Sequence, residues 1–321
     1  LPIVAKPALA AGLRMEGSTM AGIISRTNVF FSSKIRAAFA VAVLSGLTGM
    51  DPVALASPDS DIIEQPANMP GWFFERRIVG DNNLEKIEAA KASKYYDMTR
   101  PVAIVKDLTG EGFCTGWRVA EDLFVTNYHC YEFAGCKLVF ELDYETARSG
   151  EKHPQFTCVE ALAQNETFDY AIYKVKPAKV AIKTPKPAKK PKALMSDLNE
   201  SADDSGVITM WGGAITVGQP LIVSGHPAAR TKEIDRSKDC KINTIVPEEM
   251  GGRMTIRHTC DTEGGSSGSP VLDRKTGYAV ALHWGGEDGY NMAIPMNLVV
   301  DDIEKNVDAE TFAKLTIAGR K

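Results

Sequence analysis

Three segments of this chain carry side chains that can build a nucleophilic relay. Gly264-Gly265-Ser266-Ser267-Gly268-Ser269-Pro270-Val271 sets a serine among small residues, ahead of a short apolar run. Glycine supplies the positive φ that a chain bend needs when it passes close to another molecule. A serine hydroxyl is a weak nucleophile until a base takes its proton and amide donors receive the developing oxyanion. Phe124-Val125-Thr126-Asn127-Tyr128-His129-Cys130 offers such a base, His129, where an apolar strand pattern ends. Phe168-Asp169-Tyr170-Ala171-Ile172-Tyr173 opens an alternating strand with an acid, Asp169, able to orient an imidazole. Each residue has a plainer reading alone: a satisfied core histidine, a strand-edge acid, a Gly-Ser linker. The β-rich flanks Met254–His258 and Val271–Leu272 leave little room for a linker. The order His, Asp, Ser in these three contexts makes coincidence a poor explanation.

The elements that must hold these residues are short strands. Val102–Val105, Phe124–Thr126, Leu138–Leu142, Ala171–Val175, Leu221–Ser224, Val271–Leu272 and Tyr278–Trp284 are apolar runs separated by turn residues. Helix-period stretches are few: a short one at Lys86–Lys94, and Asn297–Asn306 with Leu298, Val299, Ile303 and Val307 on an apolar face. Many short strands with a late helix predict antiparallel barrels or a sandwich. Gly264–Gly268 also satisfies G-x-S-x-G about Ser266, the nucleophile elbow of α/β-hydrolases. That elbow needs a following helix and a downstream acid and histidine. Pro270 and a strand stand where the helix belongs, and His283 is the sole histidine downstream.

With these motifs in view, the chain resembles the chymotrypsin-like serine endopeptidases over roughly Ile78 to Asn306, and among them the secreted bacterial branch that includes the glutamyl endopeptidases. Thr126-x-x-His129-Cys130, Thr262–Leu272 and Leu282-His283-Trp284-Gly285-Gly286 carry the resemblance. It implies an all-β fold of two antiparallel six-stranded β-barrels, residues 78–173 and 206–321, with a C-terminal α-helix. It implies that Ser267 attacks a peptide carbonyl, His129 shuttles the proton, Asp169 orients the imidazole, and the N–H groups of Gly265 and Ser267 form the oxyanion hole. Asp261, Thr262, His283, Trp284 and Gly285 become the walls of the pocket for the residue before the cut (P1). Thr262 and His283 match positions that hold an acidic side chain, whereas Asp261 falls where trypsin-like members bind Arg or Lys. Acidic P1 is the favoured expectation, and basic P1 or a catalytically silent binding protein on the same fold are the alternatives. The resemblance further implies a Cys114–Cys130 bridge. Cys240 with Cys260 would then pin the segment before Ser267, and Cys136 would be left with Cys158.

Composition narrows the class. The chain has 321 residues, 44% of them hydrophobic, and a net charge of -4. Such a balance predicts a folded core and gives no sign of nucleic-acid binding. Six cysteines suit an oxidising compartment, although counting alone leaves about 15 pairings open. Lys34 and Arg36 precede the apolar run Ala37–Leu47, and Val53-Ala54-Leu55-Ala56 offers a small-residue cleavage site. The three features together read as a secretory signal over residues 20–56, starting at Met20, with an apolar run too short to span a bilayer. Residues 1–19 are expected to be an upstream reading-frame artefact, and residues 57–77 a propeptide. Cleavage after Arg77, by an activating protease or by the enzyme itself, would make Ile78 the mature N-terminus. Lys174–Lys192 holds eight lysines and four prolines without an acid. Like-charge repulsion and missing amide donors predict an extended connection there, over residues 174–205. The expected partners are protein or peptide substrates, with no nucleic acid, no stable membrane association, no cofactor and no metal, and the chain is expected to act as a monomer.

Overall fold

The computed structural model describes residues 76–178, 206–250 and 253–320. The signal-peptide assignment, most of the propeptide and most of the Lys/Pro-rich connection lie outside the described residues. The first strands are β1 (Arg76–Arg77), β2 (Glu85–Lys86), β3 (Val102–Asp107), β4 (Gly112–Ala120), β5 (Leu123–Thr126), β6 (Leu138–Glu141), β7 (Gln155–Asn165) and β8 (Tyr170–Pro177). Six of them close into a barrel in the order β3-β4-β5-β8-β7-β6. Its inward side chains fill it: Phe124 stacks on Phe140 with ring centroids 4.7 Å apart, and Tyr173 meets Phe140 edge-on at 5.6 Å. Small barrels are filled by alternate inward residues in this way.

The later strands are β9 (Met210–Trp211), β10 (Leu221–Gly225), β11 (Glu233–Asp235), β12 (Ile242–Met250), β13 (Arg253–His258), β14 (Thr262–Glu263), β15 (Pro270–Asp273), β16 (Ala279–Glu287), β17 (Tyr290–Pro295) and β18 (Ile317–Ala318). Here the expectation of a second six-stranded barrel is corrected. These strands, with β2, form a ten-stranded sheet that does not close. Its main path runs β12-β13-β17-β16-β15-β10-β11-β2, with β9 and β18 attached beside β16. The ladder that would bring β12 back to β10 is reduced to an isolated bridge between Pro220 and Lys241. The next amides that could extend it turn back on their own segments, Cys240 N–H to the Ser237 carbonyl and Gln219 N–H to the Thr216 carbonyl, and register shifts bend β12 along its pairing with β13. The apolar runs identified where strands lie, while closure depends on pairings between strands distant in sequence.

Among the described residues four α-helices accompany the strands: α1 (Lys94–Thr99), α2 (Tyr128–Ala134), α3 (Met296–Asn306) and α4 (Ala309–Ala313). The C-terminal helix α3 buries Met296, Val299, Val300 and Ile303, an i, i+3, i+4, i+7 face. Lys86–Lys94 is not one helix. It divides into the end of β2, a 3-10 turn at Ile87–Ala90 and the first residue of α1. Disulfides join Cys114 to Cys130, Cys136 to Cys158 and Cys240 to Cys260. The first ties β4 to α2, immediately beside His129.

Candidate active site

Strand β5 is fully buried and delivers the chain to Asn127, after which α2 begins and carries His129 on its first turn. Asp169 sits at the tight connection from β7 to β8, buried, with φ +43. A left-handed aspartate is uncommon, and such backbone conformations persist where surrounding bonds impose them. Two bonds do so here. Asn127 Nδ2 donates to the Asp169 carbonyl at 2.8 Å, and the His129 backbone N–H donates to Asp169 Oδ1 at 3.1 Å. His129 Nδ1 lies 3.0 Å from Asp169 Oδ2 and 3.2 Å from Oδ1. A carboxylate only accepts, so Nδ1 carries the imidazole proton and Nε2 is left basic.

Ser267 occupies the loop between β14 and β15. Its carbonyl accepts from the Thr115 N–H at 2.8 Å, and the next amide, of Gly268, donates to the His283 carbonyl at 2.9 Å. Gly268 has φ +87, and a Cβ there would lie 2.1 Å from the Thr115 carbonyl oxygen. The loop therefore rests directly on β4. Gly265 has φ +91. Among the described residues, neither the Gly265 nor the Ser267 N–H donates to a protein group, whereas the intervening Ser266 N–H donates to the Glu263 carbonyl.

His129, Ser267, Thr262, His283 and Trp284 line one cleft of about 370 Å³, with Arg77 beside them. Gly285 also lines it. Asp261 does not stand on its wall. Both of its carboxylate oxygens are engaged by the N-terminal segment, Oδ1 by the Val79 N–H and Oδ2 by the Asn83 N–H and Nδ2. Ile78 lies between those contacts and Arg77. Strand β1 pairs antiparallel with β14, setting Arg77 opposite Thr262. Arg77 Nε donates to the Gly286 carbonyl at 2.7 Å, and a Cβ on Gly286 would come within 2.9 Å of Arg77 Cγ.

Two buried residues that the sequence did not single out support the pocket. Asn291 accepts from Thr262 Oγ1 and donates through Nδ2 to the carbonyls of Cys260 and Arg77. His258 places Nε2 3.4 Å from His283 Nδ1, and its own Nδ1 accepts from the Cys260 N–H. Burial holds the His258 pKa down at about 3. Burial first, then the neighbouring His258 and His129, holds His283 well below the ordinary histidine range. Both rings are neutral near pH 7. No local motif set His258 apart from His153 or His226. Sγ of Cys114 and Cys130 falls near the His129 ring, but the two sulfurs are bonded to each other, so the cluster offers no thiolate for a metal.

Residues 114–282, more than half of the chain, match the trypsin-like peptidase domain. The chain belongs to that family. The matched span contains His129, Asp169 and Ser267, and membership supports its classification as a serine endopeptidase. A curated relative, the "Secreted RxLR effector protein 73" of Plasmopara viticola, is 27% identical over 215 residues, covering 63% of this chain. The match covers about half of that relative, 48% of its length. Solved structures of similar fold include a "Glu endopeptidase in complex with MPD" (15% identity, TM-score 0.49, 74% of this chain and 99% of that one). Another is the inactive form of a Ser343Ala mutant of Rv3671c from M. tuberculosis H37Rv (16% identity, TM-score 0.43, 68% and 90%). Both likenesses are distant. Among the described residues no helix is long and apolar enough to cross a membrane.

Proposed function

We propose that this trypsin-like peptidase is a secreted serine endopeptidase that cuts peptide bonds through an acyl-enzyme. Ser267 Oγ attacks the scissile carbonyl. His129 Nε2 takes its proton and returns it to the leaving amine, and Asp169 stabilises the imidazolium formed between. The Gly265 and Ser267 amides receive the oxyanion. The observation that carries this reading is the doubly contacted His129–Asp169 pair, opening into the same cleft as Ser267. A fluorophosphonate probe tests it. Labelling of the processed protein that disappears in Ser267→Ala is expected, and unlabelled, correctly processed protein counts against it.

The pocket chemistry supports an acidic P1 residue, in line with the glutamyl endopeptidase branch. Because His258 Nδ1 accepts from Cys260, its proton resides on Nε2 and is donated to His283 Nδ1. His283 then bears its proton on Nε2 and can offer an uncharged donor to an acceptor in the cleft, in competition with the Met292 backbone carbonyl that also bonds its ring. A carboxylate is the strongest such acceptor. A basic P1 residue would need Asp261, whose oxygens are already taken by the N-terminal segment. A digest of a peptide library, expected to show cuts after Glu or Asp, checks the preference.

Residues 20–56 act as the secretory signal in this reading, and processing after Arg77 produces Ile78 as the N-terminus. In the uncut chain Arg77 lines the cleft beside His129 and Ser267, so in this reading it occupies part of the substrate site until that bond is cut. Edman sequencing of the secreted protein, with Ile78 expected first, checks the boundary.

A further inference from the structure

Orientation of the two proposed oxyanion donors depends on the carbonyls of their own peptide units. In a trans peptide the C=O and N–H point in opposite directions, and no cis peptide bond is present among the described residues. The Ser267 N–H belongs to the unit whose carbonyl, on Ser266, accepts from the Ser269 N–H at 2.9 Å. That restraint is local to the loop. The Gly265 N–H belongs to the unit whose carbonyl, on Gly264, accepts from the Ala228 N–H at 2.5 Å. This second restraint comes from a different segment, 36 positions upstream by residue number.

That segment is unusual. Ala228 has φ +48 and ψ +36, and Ala229 has φ +56. Two successive alanines in the left-handed region are disfavoured, because Cβ crowds the following carbonyl. The turn from His226 to Arg230 enforces them. The Ala229 N–H donates to the His226 carbonyl, the Arg230 N–H to the Pro227 carbonyl, and His226 Nδ1 to the Arg230 carbonyl. The turn is also fastened to the catalytic loop on both sides of Gly264. Thr115 Oγ1 accepts from the His226 N–H and donates to the Gly265 carbonyl, both at 2.9 Å. Arg230 Nη1 pairs with Glu263 Oε2 at 2.7 Å. A Cβ on Gly265 would stand 2.7 Å from the His226 carbonyl oxygen, so the two segments are in backbone contact.

We infer that the His226–Arg230 turn is a clamp that sets the oxyanion hole, with Ala228 as the positioning residue. Its left-handed conformation aims its N–H at the Gly264 carbonyl, which turns the Gly265 N–H into the cleft. Without that bond the Gly264–Gly265 unit is free to flip and present a carbonyl where the donor belongs. The inference rests on the endopeptidase reading above and adds a residue that touches neither substrate nor reacting atoms.

The test compares Ala228→Gly, Ala228→Asn and Ala228→Val with the processed wild type. Gly and Asn accept the left-handed region, whereas a β-branched side chain does not. The readouts are kcat, KM, melting temperature, and affinity for a peptide aldehyde, which forms a tetrahedral oxyanion on Ser267. Gly and Asn are expected to keep at least half of kcat. Val is expected to lower kcat about 100-fold, the low end of what removing one oxyanion donor costs. Its KM should change less than about two-fold, and aldehyde affinity should fall in parallel with kcat/KM. Wild-type kcat in Ala228→Val, or an equal loss in Ala228→Gly, overturns the inference. So does a loss confined to KM with aldehyde affinity intact. If Ala228→Val does not fold, Thr115→Val, which removes the hydroxyl bridging His226 and Gly265, is expected to give the same split, and its full activity overturns the clamp. An unlabelled, inactive wild type overturns the endopeptidase reading and this inference with it. A labelled, active wild type with active variants overturns this inference alone.

Discussion

At the scale of single residues, the proposed site separates charge from recognition. In the proposed mechanism Asp169 and His129 form a pair whose charge changes during turnover, while burial first, and then His258 and His129, keep His283 neutral. A neutral donor recognises a carboxylate by hydrogen bonding and does not compete with the His129 imidazolium for negative charge. Thr262 offers no second donor, since its hydroxyl proton is committed to Asn291 Oδ1. In the proposed reading, selection of an acidic P1 residue rests on the hydrogen bond from His283. His283→Ala should lower kcat/KM for a substrate with Glu at P1 by about 10–100-fold, the equivalent of a hydrogen bond to a charged partner. For an otherwise identical substrate with Leu at P1 the change should be small. Equal losses for the two peptides would show that His283 supports the fold and does not read P1.

At the scale of elements, the loop that carries Ser267 is held by β4 directly beneath it. Gly268 is the tightest point of that contact, in a backbone conformation that alanine rarely adopts. Gly268→Ala should therefore destabilise the protein by about 1–3 kcal/mol, through left-handed strain and the clash with Thr115. Urea unfolding of the Ser267→Ala background, which avoids self-digestion, would measure it, and an unchanged midpoint would refute it. The same loop explains how much could be read beforehand. Small residues around Ser267 and an apolar strand ending at His129 are local signals, because both the bend and the strand are written in adjacent residues. Asn291, His258 and Ala228 have no such signal. Each matters through a partner 25 or more positions away, such as Asn291 through Thr262 or His258 through His283. Failure of the second barrel to close has the same origin. Its strands were legible as apolar runs, but the single bridge at Pro220 and the bulged course of β12 are set by register between distant segments.

At the scale of the whole molecule, the buried histidines make folding sensitive to mild acid. His226, His258 and His283 are buried, and burial is the first cause of the lowered pKa of each. At His226 the positive charges of Lys232 and Lys106 add to it, and at His283 the repulsion that His258 and His129 exert once protonated does the same. A histidine whose folded pKa lies below its unfolded value of about 6.5 binds its proton preferentially in the unfolded chain. Its effect on stability is nil above that value and grows as the pH falls toward the folded pKa. For His258 that window runs from about 6.5 down to about 3, with a slope of about 1.4 kcal/mol per pH unit. Carboxylates act lower. Glu141 and Glu233 have depressed pKa values owing to His153 and Lys106, and to Arg230 and Lys86, acting against burial. Their contribution is present above the ordinary carboxylate range and is lost as they protonate beneath it. Between pH 7 and pH 5 the histidines thus dominate the loss. His258→Phe, which keeps the volume roughly filled and cannot protonate, should shrink the stability difference between pH 7 and pH 5 by about 2 kcal/mol relative to the parent. Denaturant unfolding at the two pH values, with Ser267→Ala as parent, measures that difference directly. Identical pH dependence in parent and variant would mean that the His258 ring can take up a proton inside the folded protein, and the neutral chain from Cys260 through His258 to His283 would fail with it.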